Sequence, residues 1–358
     1  MGTRKVANVL VASLTVAILA VGGARVGYAD ERGSQQSSYA QQESSAVDFE
    51  RELDDYMPKK DHYNLFLTYK IEHSWWDAVA SGMEDARRQY LQNGITVTYE
   101  YLAPKTASAE DQKQRLLTAE KGPYDVIGVD VADEKVISPI LDELVDAGHK
   151  VMTFSSSDAA KGCKRIAYVG NTHNYEDGAQ LAEALCKKLG YKGKVAILVG
   201  SEGAPCHEDR ARGAQDTIAK YDGMEVVEVV YDQDSVKLAR TLTDDILREH
   251  ADLAGIVCCN MSNPVGAAQA ITSAKREVVI VGMDHDRDAL RYLRDGIIYC
   301  LGVQDCYSIG FDTIQTAIKV ADGMMPGKLY PESLEEKTTI IYQNEAEDML
   351  GTLYGVTE

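Results

Sequence analysis

The sequence predicts an α/β fold built as two lobes, each a parallel sheet flanked by helices, with a ligand cleft between them. Three observations predict it. From residue 64 onward short apolar runs alternate with longer amphipathic ones, the rhythm of βαβ units. Runs such as "NLFLT", "YDVIGV" and "KVAILVG" are continuous and rich in branched residues rather than alternating, as in strands buried on both faces. The rhythm then restarts near residue 194, so the 358-residue chain divides into two similar halves.

In the first half, strands are predicted at 64–68, 96–101, 124–129, 150–155 and 165–170, with helices at 75–92, 109–120 and 138–147. A helix at 175–189 follows, and Gly190 and Gly193 punctuate the turn into a strand at 194–200. The segment around Arg210 reads as the next helix. Strands at 225–231, 254–259, 278–284 and 297–304 then alternate with helices at 235–250, 264–274, 287–294 and 307–322.

Composition limits what such a fold can serve. Apolar residues make up 45% of the chain, enough for packed cores, and the net charge of −19 argues against nucleic acid and anionic membrane surfaces as partners. The N-terminus reads as an export signal over residues 1–29. Arg4 and Lys5 precede an apolar run from 6 to 24, and Gly27-Tyr28-Ala29 places small residues before cleavage at Asp30. The alternative is a retained anchor, since the run is nearly long enough to span. No cysteine follows the run, which argues against a lipoprotein anchor. Residues 30–60 are expected to form a leader, Ser/Gln-rich over 30–48, with the folded part starting near Asp61. The seven cysteines show no CxxC spacing, an odd count leaves at least one thiol unpaired, and spacing alone assigns no disulfide.

In open α/β sheets ligands bind beyond the carboxyl ends of the strands. Those positions are polar throughout this chain. Trp75 and Trp76 open the helix after the first strand; Asp130 follows the third; Ser155, Ser156 and Ser157 follow the fourth. In the second half Arg210 and Arg212 follow the restart, Gln233 and Asp234 lie in "YDQD", and Asn260, Asp284 and Gln304 close or follow three further strands. Acid, amide, guanidinium and indole together suit a polyhydroxylated ligand: planar groups pair with adjacent hydroxyls and aromatic faces cover the C–H side of a ring. Taken singly, Asp284 and Asn260 read equally well as helix caps, and one tryptophan as core.

The segments "HSWWDAVASGMEDA", "EDRARGAQD", "VCCNMSNPVGAAQAI" and "IVGMDHDRDALRYLRDG", in this order and at these spacings, resemble the periplasmic sugar-binding proteins related to the ribose-binding protein. The resemblance covers residues 61–342 and implies the type I periplasmic binding fold, with two Rossmann-like lobes and a three-strand hinge. It implies that Trp75 and Trp76 match the paired aromatics that sandwich the sugar, and that Arg210 donates to its oxygens. Asn260 and Asp284 match residues that bind hydroxyls, and Gln304 matches the hinge glutamine. Asp130 stands where the family often has asparagine, Gln233 or Asp234 where it has an aromatic and an acid, and His73 where a polar side chain commonly touches ligand. Ser155-Ser156 replaces the Asp-Arg pair of ribose-specific members, which points away from ribose toward a hexose, a cyclitol or a less common sugar.

The expected organisation is a first lobe of 61–170 plus 304–333, a second of 171–303 plus 334–345, and a tail at 346–358. The chain would cross between lobes near 170–171, 303–304 and 334–338. The expected function is an exported solute receptor, monomeric and without cofactor or metal. Its lobes close on the ligand and are recognised by a membrane ABC-type permease, with a sensor kinase or chemoreceptor as secondary partner. An alternative ligand is a signalling molecule of the autoinducer-2 type. An exported enzyme is the rival class, but Gly-x-Ser-x-Gly, His-Glu-x-x-His and P-loop motifs are missing. His207, Glu208 and Asp209 point in different directions around a helix and do not form a metal site. Arg212 is expected to be a second-layer or loop contact.

Overall fold

The computed structural model describes residues 51–72, 75–103, 108–327 and 329–354. In the first half β1 (His62–Thr68), β2 (Thr96–Leu102), β3 (Val126–Val129), β4 (Val151–Ser155) and β5 (Ala167–Gly170) are interleaved with α1 (Trp75–Gln92), α2 (Ala109–Ala119) and α3 (Glu134–Asp146). The second half runs α4 (Asn174–Lys188), β6 (Gly193–Val199), α5 (Pro205–Ile218), β7 (Met224–Tyr231), α6 (Val236–Glu249), β8 (Leu253–Cys258), α7 (Ser262–Ala274), β9 (Val279–Met283), α8 (Arg287–Arg294) and β10 (Ile298–Gln304). The chain closes with α9 (Cys306–Ala321), β11 (Ser333–Glu335), β12 (Thr338–Tyr342), a 3-10 turn and α10 (Ala346–Tyr354).

Two six-stranded sheets result. The first has the order β11-β5-β4-β3-β1-β2, with every pairing parallel. The second has the order β12-β10-β9-β8-β6-β7 and is parallel except where β12 joins β10. Each sheet is covered on both faces, which is why its strands read as unbroken apolar runs. Leu65 and Leu67 of β1 face α1 and α9, whereas Phe66 between them faces α2 and α3. In β6, Ala196 and Leu198 pack toward α6 and α7, and Val195, Ile197 and Val199 toward α4 and α5. The chain passes between sheets at three places: β5 to α4, β10 to α9, and β11 to β12.

Four features differ from the sequence reading. Residues 51–60 are not leader but part of the first lobe. The reason is α9, a helix buried on every side that carries Asp312 and Lys319. Lys319 pairs with Asp54, Asp312 pairs with Arg51, and Tyr56 donates to Asp322 at 2.8 Å. The segment covers the helix and neutralises its charges. The predicted tail contains α10, whose Ala346 and Leu350 pack into the second core and whose Tyr354 hydroxyl donates to the His285 carbonyl at 2.9 Å. Helix α3 starts at Glu134 rather than 138. Asp133 caps it by accepting from the amides of Lys135 and Val136, so Pro139 lies inside the helix instead of opening it. Strand β11 also continues the first sheet to Glu335, two residues past the expected boundary. No helix among the described residues is long and apolar enough to cross a membrane.

Candidate functional site

At the carboxyl ends of both sheets a cavity opens between the lobes. Lys70, Ile71, Trp75, Trp76, Ser155 and Ser156 line it from the first lobe; Cys206, His207, Arg210, Asp234, Asn260, Met261 and Asp284 line it from the second, and Gln304 stands at the hinge. The backbone aims several of these groups. Ser155, Asp234 and Asp284 have φ of 82°, 57° and 72°. Such left-handed geometry is uncommon for residues other than glycine and concentrates at ligand sites. It turns the side chains at three strand ends into the cavity. Asp286, not Asp284, caps α8, so the Asp284 carboxylate is released from that duty.

A hydrogen-bonded chain joins the lobes. Ser156 Oγ donates to Gln304 Oε1 at 2.5 Å, Gln304 Nε2 donates to Asp284 Oδ1 at 2.5 Å, and Trp75 Nε1 donates to the same oxygen at 3.0 Å. Trp75 meets Trp76 edge-on with ring centroids 4.6 Å apart, and Trp76 continues into Tyr69 and Phe154. One indole therefore faces polar partners while its neighbour roots it in the core.

Arg210 is the largest fully buried side chain, only 2% exposed. Its Nη1 donates to the Cys259 carbonyl at 3.2 Å, while Nε and Nη2 have no partner among the described residues. Burying a guanidinium with two idle donors is costly unless an acceptor arrives. Asp284 and Asp177 supply its countercharge.

A second polar cluster surrounds Asp234. Its carboxylate accepts from Ser201 Oγ and from Asn260 Nδ2, the latter at 2.6 Å, and faces His207 Nε2 at 3.8 Å. Burial would raise its pKa, but His207 and Lys70 bring it below the usual range. The Ser201 amide donates to His207 Nδ1 at 2.9 Å, and Nε2 is turned toward Asp234. Asn260 also accepts from the Asn263 amide at 2.9 Å, so it serves the start of α7 and the site together.

Asp130 and Gln233, expected in the site, do not line the cavity. Asp130 is wholly buried beneath Lys70. It accepts from the Lys70 amide at 3.0 Å and lies 3.9 Å from Lys70 Nζ. Burial raises its pKa to about 6, against the pull of the Lys70 charge. Its role is to seat the lysine. Gln233 is exposed because two successive left-handed residues turn it outward and Asp234 inward. Arg212 also points to solvent, paired with Asp209 at 2.7 Å and lying over the Tyr175 ring. His73 lies outside the described residues. Lys70, Cys206, His207 and Met261 were not assigned to the cavity from sequence. Lys70, two residues beyond β1, satisfies the strand-end rule that selected the others. Cys206 is masked by six further cysteines that are mostly apolar filler; all seven thiols are free.

The comparisons with known proteins agree with this geometry. A profile of the periplasmic binding protein domain matches residues 65–325. The chain belongs to this family. It is 27% identical over 259 residues to the ribose import binding protein RbsB of Bacillus subtilis (strain 168), covering 72% of this chain and 80% of that one. With the D-ribose/D-allose-binding protein of Pseudomonas aeruginosa it shares 25% over 252 residues, covering 68% and 78%. Among solved structures, an ABC transporter solute-binding protein from Burkholderia graminis C4D1M in complex with D-arabinose superposes with a TM-score of 0.73 at 24% identity, covering 80% of this chain and 98% of that one. GanP, a glucose-galactose binding protein from Geobacillus stearothermophilus, gives 0.72 at 24%, covering 80% and 99%. The two structures establish the type I periplasmic binding fold, and these relatives are solute-binding proteins rather than enzymes.

Proposed function

We propose that this chain is an exported receptor for a monosaccharide or cyclitol other than ribose, and that it delivers its ligand to an ABC-type permease. The observation that carries the reading is Arg210, a buried cation lining the interlobe cavity whose Nε and Nη2 donors have no partner among the described residues. A hydroxyl or ring oxygen would satisfy them. Asp284 and Asn260 would accept from and donate to neighbouring hydroxyls, and the Trp75 face would cover the C–H side of the ring. Related proteins named as binding proteins for ribose, D-allose and D-apiose support the ligand class. The serines at 155 and 156 favour a ligand that needs no acid–guanidinium pair from the first lobe. A ligand touching both lobes stabilises closure in proportion to its contacts with each, and the closed face is what a permease would recognise.

The test is a panel of pentoses, hexoses and cyclitols, with autoinducer-2 beside them, read by thermal shift and tryptophan emission. The chain's two tryptophans are Trp75 and Trp76, so emission reports the cleft directly. A ligand at about 100 times its Kd stabilises by roughly 2.7 kcal/mol. Arg210→Met is expected to weaken binding roughly 10- to 100-fold, the loss of hydrogen bonds to a charged group. Silence of all sugars and cyclitols on the wild-type chain overturns the reading, and a response to autoinducer-2 alone transfers it to a signalling ligand.

A further inference from the structure

Cys206 occupies a position unlike that of the other six cysteines. It is the second residue of the 14-residue α5, after Pro205, and Ala204 at the cap contributes no side-chain acceptor to the helix amides. Cys206 lines the interlobe cavity, and two of its polar neighbours come from the opposite lobe: Lys70 Nζ at 3.6 Å and Ser157 Oγ at 3.2 Å. The Lys70 ammonium donates to the Cys206 sulfur, and the Asp130 carboxylate stands 3.9 Å from that ammonium. His207 and Arg210 face the sulfur from its own helix, with Asp234 beyond His207 and Asp130 beneath Lys70. The idle Nε and Nη2 donors of Arg210 open into the same space.

From this placement we propose that Cys206 is a modification site for low-molecular-weight disulfides, reached when the lobes part, and that its modification excludes the sugar and closure together. The inference of competition rests on the receptor reading above; the site itself does not. The Cys206 thiolate attacks one sulfur of the disulfide. A new S–S bond forms to Cys206, the original S–S bond breaks, and the second sulfur leaves with the electron pair as a thiolate that takes a proton from solvent. Cys206 is oxidised and the departing sulfur reduced, with no further reactant. The product removes the negative charge that Lys70 faces and places a peptide-sized group where Lys70 and Ser157 must approach. Burial would raise the thiol's pKa, but His207, Lys70 and Arg210 bring it well below the ordinary value, which favours the thiolate that attacks. Burial instead raises the pKa of Cys163, Cys186, Cys259 and Cys300, to about 11 for the first two and about 12 for the others.

The experiment treats the full chain with oxidised glutathione or iodoacetamide between pH 6 and 8 and maps adducts by peptide mass spectrometry. The expected result is labelling of Cys206 ahead of the others, at a rate nearly flat across this range. An ordinary thiol would accelerate roughly 50- to 100-fold over the same interval. Lys70→Met is expected to restore a steep rise with pH. A saturating sugar from the panel is expected to protect Cys206, and glutathionylation to abolish the sugar's thermal shift until a reductant restores it. Labelling confined to Cys163, or a Cys206 rate that climbs like an ordinary thiol, overturns the assignment, as does a modified chain that still binds sugar. A sugar panel silent on the reduced chain overturns the receptor reading alone, because labelling and its pH profile need no ligand.

Discussion

At Glu336, between β11 and β12, a carboxyl is held against another. Asp312 lies beside it, Arg51 Nη1 reaches it at 3.0 Å, and burial together with Asp312 pushes its pKa up to about 8. The folded state therefore binds a proton that the unfolded chain, near its ordinary 4.5, has released. Stability contributed by this site falls as pH rises from about 4.5 to about 8. Glu336→Gln mimics the protonated form. It is expected to match wild type near pH 4 and to exceed it by on the order of 1–2 kcal/mol at pH 8, after allowing for solvent screening at a partly wet site. Urea denaturation at the two pH values checks this; a constant difference would mean that the proton is not there. Single residues were also where sequence reasoning was least complete. Arg210, Asn260, Asp284 and Gln304 were legible because strand ends can be counted. The outward turn of Gln233 was not, since nothing in "YDQD" distinguishes which of two residues with left-handed φ faces in.

Between elements, close approach is set by glycine. A Cβ at Gly82 of α1 would lie 2.0 Å from the Tyr307 carbonyl oxygen, and one at Gly310 of α9 1.9 Å from that of Val79, so each helix is notched for the other. Helices α4 and α5 repeat the device: Gly178 faces the Arg210 carbonyl and Gly213 that of Tyr175, each at 2.0 Å. These clashes are with backbone and cannot be relieved by a rotamer change. Gly82→Ala and Gly213→Ala are each expected to cost about 1–3 kcal/mol, the usual penalty of overpacking, measured by urea denaturation. Gly178→Ala is expected to weaken ligand binding as well, because the helix it displaces carries Arg210. The pairing of these two helices was not legible in the sequence, because α1 and α9 are separated by more than 200 residues and only the fold makes them neighbours.

At the scale of the whole molecule, the first lobe is assembled from two separate stretches of chain. Residues 51–60 begin it, and α9 and β11 complete it after the second lobe has been built. A chain starting at residue 61 removes Arg51 and Asp54 and leaves Asp312 and Lys319 buried without their partners. It is expected to lose roughly 3–5 kcal/mol relative to one starting at residue 47, the penalty for breaking a buried pair from one side. Equal melting temperatures for the two chains would show the segment to be dispensable. The sequence by itself determined the two-lobed α/β class, the order of the major elements and most residues at the cleft, because apolar periodicity and strand ends are local properties of the chain. Only the tertiary structure decided that 51–60 belongs to the fold, that Asp130 seats Lys70 beneath the cleft, and that Cys206 lies between the lobes. Each of those depends on charges and surfaces brought together from distant positions, and local pattern carries no record of which distant group will meet which.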